Sequence, residues 1–340
     1  MSPREQSGTD TRARPGASVI RALTTAGPAA VTVAVVILVL ALMLTTRTFA
    51  TADNLKVVAL GSAVTIVVGL AQMIVISAGG MNLAVGATGG LVSVVCGALM
   101  NTYGVPPALA VIAGLAAGAG TGALIGVVIV RGFQPFIVTL AAASVLTGIG
   151  LGVTESIPYY HLPDSFEAFG SATVLGVPVI FLVALLLAVI LAAMFRYTSF
   201  GRQILAFGAN PRAAALSGVP LGSLQIAIYA LSGFIAAAAS VLLVARLGNA
   251  DPAVGKDWLL VSFAAPIIGG TRLTGGYASV LGTVLGALLL GILVNGLVQW
   301  NVNVFFVQLI SGLIILGAGG FERVREVVAS AGERNERRSA

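Results

Sequence analysis

Residues 57–77 read VVALGSAVTIVVGLAQMIVIS, a run without one charged side chain and with apolar residues on every helical face. A membrane-crossing helix needs about 17 to 25 mostly apolar residues, so this stretch predicts a span. Working outward, comparable charge-free stretches occur at 29–46, 84–100, 107–130, 135–153, 176–195, 224–245, 258–271, 278–298 and 304–320. Of the 340 residues, 58% are hydrophobic and 9% charged, too apolar a balance for a soluble domain. The expected fold is all-α, a polytopic transmembrane helical bundle of about ten spans with both termini cytoplasmic.

The 258–271 stretch is short and carries Pro266, so it reads either as a full span or as a re-entrant segment. Ala50-Thr51-Ala52 after the first stretch raises a cleaved signal peptide as an alternative, although the polar leader Met1–Gly27 is long for a signal n-region. The expected organisation is a cytoplasmic N-terminal tail over 1–27, a transmembrane domain over 28–320 with a cytoplasmic loop at 196–223, and a basic cytoplasmic tail over 321–340. Cys96 is the sole cysteine and sits mid-span, which excludes an intrachain disulfide.

Charge sets the orientation. With the N-terminus inside and ten spans, only Arg47, Lys56, Arg246 and Lys256 of the 18 Lys and Arg fall outside, as the positive-inside rule asks. The outer loops then hold Glu155, Asp164, Glu167, Asp251 and Asp257, and Trp258 and Trp300 fall at the outer boundary. The net charge of +6 is a topology signal, since no soluble basic face with interleaved aromatics points to nucleic acid.

On this reading no ionisable residue lies inside a span, which argues against coupling through buried carboxylates. The chain lacks a phosphate-binding G-x-x-x-x-G-K-[ST] loop and so does not hydrolyse ATP itself. His161 is the one histidine, so neither a metal site nor a Ser/His/Asp arrangement is expected. The chain reads as a transport protein without enzymatic activity or cofactor. It is either a channel or carrier acting alone, or a subunit that borrows energy from a partner.

The polar interruption at 196–220 contains a short helix with explicit ends. Asn210 suits the N-cap, Pro211 the first helical position, the Ala-rich body 212–217 the helix, and Gly218 the left-handed terminus. A helix so short is not stable alone. It is either a surface connector or a coupling helix seated in a groove of a cytoplasmic ATPase.

The run FGRQILAFGANPRAAALSGVPL (200–221) resembles the FGR…G-x-N-P-x-A-A-x-x-S-G element of the ribose/xylose/galactoside branch of bacterial ABC importer permeases. GGMNLAVG (79–86), RGFQPFIVTLAAASVLTGIGL (131–151) and IIGGTRLTGGYASVLGTVLGALLLGILVNGL (267–297) are similar to three further elements of that family, in the same order. The resemblance implies a permease subunit that pairs with a second copy or paralogue in the plasma membrane. It also implies two ABC ATP-binding subunits at the cytoplasmic face and a periplasmic or lipid-anchored sugar-binding protein. It assigns ATPase coupling to Asn210, Pro211, Arg212, Ala213, Ala214, Leu216, Ser217 and Gly218. Asn82 and Ala84 stand where the family usually has Asp and Ser, Leu259 and Val261 replace common acidic positions, and Pro266 and Arg272 replace a small apolar residue and Ser. A pentose, a hexose, a polyol or another small polar solute all fit.

Gly79, Gly80 and Gly86, and likewise Gly269, Gly270, Gly275 and Gly276, form two elements expected at cytoplasmic helix ends. They serve either as non-helical backbone beside a cavity or as tight turns. Glycines 114, 118, 122 and 126 form a stripe for close helix packing. A path for a hydroxyl-rich solute needs uncharged polar groups. Gln72, Ser77, Asn82, Thr139, Ser144, Thr147, Ser232, Asn295 and Gln308 are the candidates, with Gln72, Asn82, Ser144 and Asn295 foremost. Buried amides also tie helices together, so each either lines the path or serves as such a tie.

Overall fold

The computed structural model describes residues 27–303 together with 306, 309, 312 and 313. The expected N-terminal tail, most of the 304–320 stretch with Gln308, and the 321–340 tail lie outside the described residues. The helices are α1 (Gly27–Thr45), α2 (Ala52–Ser77), α3 (Val85–Gly97, extended by a π-helical turn to Thr102), α4 (Pro107–Val130) and α5 (Pro135–Thr154). After a segment with α6 (Asp164–Ser171) and a two-stranded hairpin (Thr173–Val174, Val177–Pro178) come α7 (Val179–Tyr197), α8 (Ser199–Ala209) and α9 (Pro211–Leu216). The chain continues with α10 (Leu221–Leu247), α11 (Trp258–Ile268) and α12 (Val280–Gln299).

Eight of these helices, α3 counted with its π-helical turn, are long and apolar enough to cross a bilayer. The chain is a multi-pass membrane protein. Helix starts follow local chemistry: Pro107, Pro135 and Pro211 occupy first positions where no amide donor is needed. Thr51, Thr198 and Ser279 accept side-chain caps.

The hub is α2. Its C-terminal part is buried on all sides, from Ile66 through Ser77 without a break, as a helix apolar all round must be. It packs against α7, α10, α11 and α12, while α4 lies along α10. The glycine stripe makes that second contact, as expected: a side chain at Gly118 or Gly122 would run into the α10 backbone at Gly233 or Tyr229.

The residues following α2 and α10 form an inverted pair that the sequence reading missed. GGMNLAVG (79–86) matches GNADPAVG (248–255) position for position at G, N/D, A, V and G, and LVS recurs at 91–93 and 260–262. The conformations match as well. Gly79 and Gly248 have φ of +74° and +67°. Asn82 Oδ1 accepts from the Ala84 amide at 3.0 Å, and Asp251 Oδ1 from the Ala253 amide at 2.7 Å. The two motifs cross at Gly86 and Gly255, where a Cβ added to either residue would overlap the carbonyl oxygen of the other. Because α2 and α10 run in opposite directions, one motif is the inverted counterpart of the other.

This crossing corrects the reading of 258–271. Only 258–268 is helical, too short to cross alone. Ala250 exchanges both backbone hydrogen bonds with Tyr159, in the α5–α6 loop, at 3.0 and 2.9 Å. The chain then runs along α3, with Ala250 beside Gly97, Pro252 and Val254 beside Gly90, and Gly255 beside Gly86. From Gly97 to Gly86 is about 16 Å at 1.5 Å per residue, half of a hydrocarbon core about 30 Å thick. Helix α11 continues the chain from that crossing. Non-helical backbone is tolerated at that depth because it lies against protein. Lys256, Asp257 and Trp258, expected in an outer loop or at the outer boundary, follow directly on the Gly86–Gly255 crossing beside α3. Trp258 is buried with its ring over Gly89, so it is a packing residue and not an interfacial anchor. Trp300 does end α12, and its indole donates to Thr45 Oγ1 at 3.2 Å.

Candidate transport site

The two glycine-rich elements meet at one junction. The Gly276 amide donates to the Ser77 carbonyl at 2.9 Å, and Gly79 lies against Gly275 and the Thr274 carbonyl. The end of α8 fits between them: a Cβ on Gly208 would overlap Ser77 O and lie 2.5 Å from Gly276 N. From here α12 is reached through Ser279, whose amide donates to Thr271 Oγ1 at 3.2 Å and whose hydroxyl accepts from Gly282 at 3.2 Å. Gly269 packs on Gly282 at the start of α12, and Gly270 turns the chain with φ +83°. Gly80 lies beside the Tyr229 hydroxyl, which donates to Met81 O at 3.1 Å. Gly86 belongs instead to the mid-depth crossing. The structural counterpart of 79–86 is 248–255; 269–276 is its neighbour in space.

Helix α9 hangs from this junction through α8. Asn210 Oδ1 accepts from the Ala213 amide at 3.1 Å, Pro211 follows, and Gly218 turns left-handed with φ +80° while Val219 N–H donates back to Ala214 O at 3.1 Å. Ser217 Oγ donates to Ala213 O at 3.0 Å. Pro211, Arg212, Ala213, Leu216, Ser217 and Gly218 are exposed, and Leu216 keeps 91% of its surface free. Ala214 does not belong with them. It is 4% exposed and faces its own chain, since a short helix lying on a protein must turn one side inward.

The polar candidates divide by location. Gln72 and Asn82 are fully buried and bonded to each other: the Gln72 amide, in the orientation its surroundings require, donates to Asn82 O at 3.0 Å and accepts from Asn82 N at 3.2 Å. Asn82 Nδ2 donates to Ser232 Oγ at 3.2 Å, which ties the crossing motif to α10. Asn295 lies near the C-terminal end of α12, where it pairs with Asn54 at 2.9 and 3.2 Å and accepts from Gln299 at 3.3 Å. Ser144 is exposed on α5 and donates to Leu140 O at 3.3 Å. Of the other candidates, Ser77 and Thr139 also bond to backbone of their own helices. Gln72, Asn82 and Asn295 are each hydrogen-bonded across elements, as residues in the tying role are. Among the described residues no group of His, Cys, Asp and Glu could hold a metal ion.

Once this architecture is set beside known families, a model described as "Branched-chain amino acid transport system / permease component" matches residues 54–319. The chain belongs to this permease family. The match runs from α2 past the described end of α12, and so contains the crossing, the junction and the α8–α9 loop. The permease is 37% identical over 245 residues to the ribose import permease of Bacillus subtilis (strain 168), covering 71% of this chain and 76% of that protein. It is 34% identical over 295 residues to the ribose import permease of Escherichia coli (strain K12), covering 84% and 90%. It is 34% identical over 274 residues to the fructose import permease of Rhizobium meliloti, covering 77% and 76%. No solved structure matches the permease. Its role is that of a transport component and not of an enzyme.

Proposed function

We propose that the permease is the membrane subunit of an ATP-driven importer for a simple sugar, working in the plasma (inner) membrane by alternating access. The observation that carries this is the capped, exposed α9 with Leu216 at its tip, fastened through Gly208 to the ends of α2 and α12. A short capped helix that leaves most of its surface, Leu216 included, free of its own chain is open to contact by a partner. One bound partner moving that surface shifts the junction, and with it the hub helix, provided the contacts differ between the two states. Lipid-facing helices need no such element.

The relatives' names supply the cargo class: two are ribose import permeases and one a fructose import permease. In this reading two ATP-binding subunits dock at α8–α9 and 196–223, a second permease copy or paralogue completes the path, and an extracytoplasmic sugar-binding protein delivers substrate. The α2–α12 junction and the mid-depth crossing are the parts that change between inward- and outward-open states.

The test is reconstitution of the permease with the ATPase and binding protein encoded beside it. D-ribose uptake should require ATP and both partners. Uptake by the permease alone, or uptake driven by a pH step without the ATPase, would replace the importer with a facilitator or secondary carrier.

A further inference from the structure

The crossing leaves two charged side chains without a role. Lys256 and Asp257 are exposed, and neither has an ion-pair or side-chain hydrogen-bond partner among the described residues. Asp257 is the N-cap of α11, where a carboxylate ordinarily accepts from the amides of the first turn, yet its side chain makes no such bond. Their neighbours are committed inward, Gly255 to Gly86 and Trp258 to Gly89. Gly255 meets α3 about 16 Å along that helix from Gly97, near the middle of the bilayer that the bundle would span, where two free charges are costly against lipid; in membrane proteins such residues face a bundle interior or a water-filled cavity.

We infer that Lys256 and Asp257 line the aqueous translocation path at mid-depth and hold the sugar in transit. The inference deepens the sugar-importer reading and rests on it for the nature of the cargo. A carboxylate offers two acceptor oxygens to adjacent hydroxyl groups, and an ammonium offers three donors to hydroxyl or ring oxygens. Together they replace water on both the donor and acceptor sides of a polyhydroxy solute, and their charges cancel, so no ion is drawn in alongside. Two groups per chain form a weak site, and a transit site must release what it binds.

The placement also explains why sequence polarity pointed elsewhere. Gln72 and Asn82 satisfy each other, whereas Lys256 and Asp257 have nothing else to bond.

The test uses the assembled importer in proteoliposomes on a Cys96→Ala background, with single cysteines at Lys256→Cys, Asp257→Cys and, as a lipid-facing control, Leu186→Cys on α7, a position 57% exposed at mid-helix. A charged, membrane-impermeant methanethiosulfonate should modify 256 and 257 at least tenfold faster than 186. Rates equal to that at 186 would overturn the inference, by placing both residues in lipid or in a sealed contact between permease copies. In the second arm, Asp257→Asn and Lys256→Gln should raise the KM for binding-protein-delivered D-ribose at least tenfold at unchanged membrane yield, with Asp257→Glu restoring most of it. Wild-type KM and rate in Asp257→Asn would overturn the binding role even if the cysteines react. If the wild-type importer ignores D-ribose, the cargo reading fails by itself and the accessibility arm still decides whether these residues line the path.

Discussion

The Gly276 amide donates to the carbonyl of Ser77 at 2.9 Å, and this bond closes the C-terminal end of the hub helix against the entry to α12. Gly208 packs on both partners, so the loop bearing α9 cannot move far without loosening the bond or carrying the two helix ends with it. A methyl at 208 would drive the pieces apart. Gly208→Ala should therefore leave the chain inserted and the ATPase bound, yet lower ATP-driven uptake at least tenfold. Uptake and co-purification measured side by side check this, and undiminished uptake would show that the junction does not transmit.

The crossing makes a second prediction, on stability. Gly86→Ala and Gly255→Ala each place a methyl on the other residue's carbonyl oxygen, and overpacking of this kind costs about 1–3 kcal/mol. Gly255 also has φ +86°, which adds about 1 kcal/mol for a residue with a Cβ. Gly120→Ala on α4 meets open space and should be neutral or stabilising by up to about 1 kcal/mol. Unfolding of the purified permease in detergent should rank the variants 255, 86, wild type, 120 from least to most stable.

Much of this fold was legible residue by residue. The range 107–130 coincides with α4 because Pro107 opens the helix and Arg131 follows its end. Asn210, Pro211 and Gly218 delimit α9 as their chemistry requires. The span at 249–268 was not legible as one unit, because a search for uncharged apolar runs cannot see a span that descends half-way as turns carrying Asp251, Lys256 and Asp257. The signal was present in the repeat of G-x-x-[ND]-x-A-V-G. Nor does polarity in an apolar helix say where a side chain's partner lies. For Gln72 and Asn295 the partners proved to be Asn82 and Asn54.

Those ties predict a contrast between buried and exposed polar residues. Gln72→Ala removes both bonds to the Asn82 backbone at a site with no water contact, and a stranded buried donor and acceptor cost about 1–3 kcal/mol each. Ser144→Ala removes an exposed hydroxyl bonded only to its own helix and should be silent. Thermal unfolding and uptake in the two variants separate the roles, and equal stability would show that the Gln72–Asn82 clamp contributes nothing.

Charge asymmetry predicts that both termini are cytoplasmic. If Lys256 lines the path at mid-depth, as inferred above, the outer basic residues reduce to Arg47, Lys56 and Arg246, and the positive-inside bias strengthens. Reporter fusions at residues 10 and 335 should both report the cytoplasm. A periplasmic signal from either one would remove the ten-span order.

The last prediction concerns the tip of α9, where two residues two positions apart should fail in opposite ways. Leu216 is 91% exposed and Ala214 is 4% exposed, so one is free to touch a partner and the other is packed within its own chain. If α9 docks on an ATPase, a Leu at the centre of that contact buries its apolar surface there, worth about 2 kcal/mol at 25 cal/mol per Å2. Leu216→Asp removes that gain and adds the cost of burying a charge. It should abolish co-purification and uptake while leaving the unfolding temperature of the isolated permease unchanged. Ala214→Trp should do the reverse: a large ring has no room between α9 and the chain beneath it, so the isolated permease loses about 1–3 kcal/mol and ATPase binding falls only as the loop is displaced. Ala168→Trp, exposed on the outer helix α6, should change neither quantity. Full ATPase binding by a stable Leu216→Asp permease would show that the exposed tip is a bare surface, and the docking face would have to be sought on α8, where Arg202, Ala206 and Ala209 are exposed.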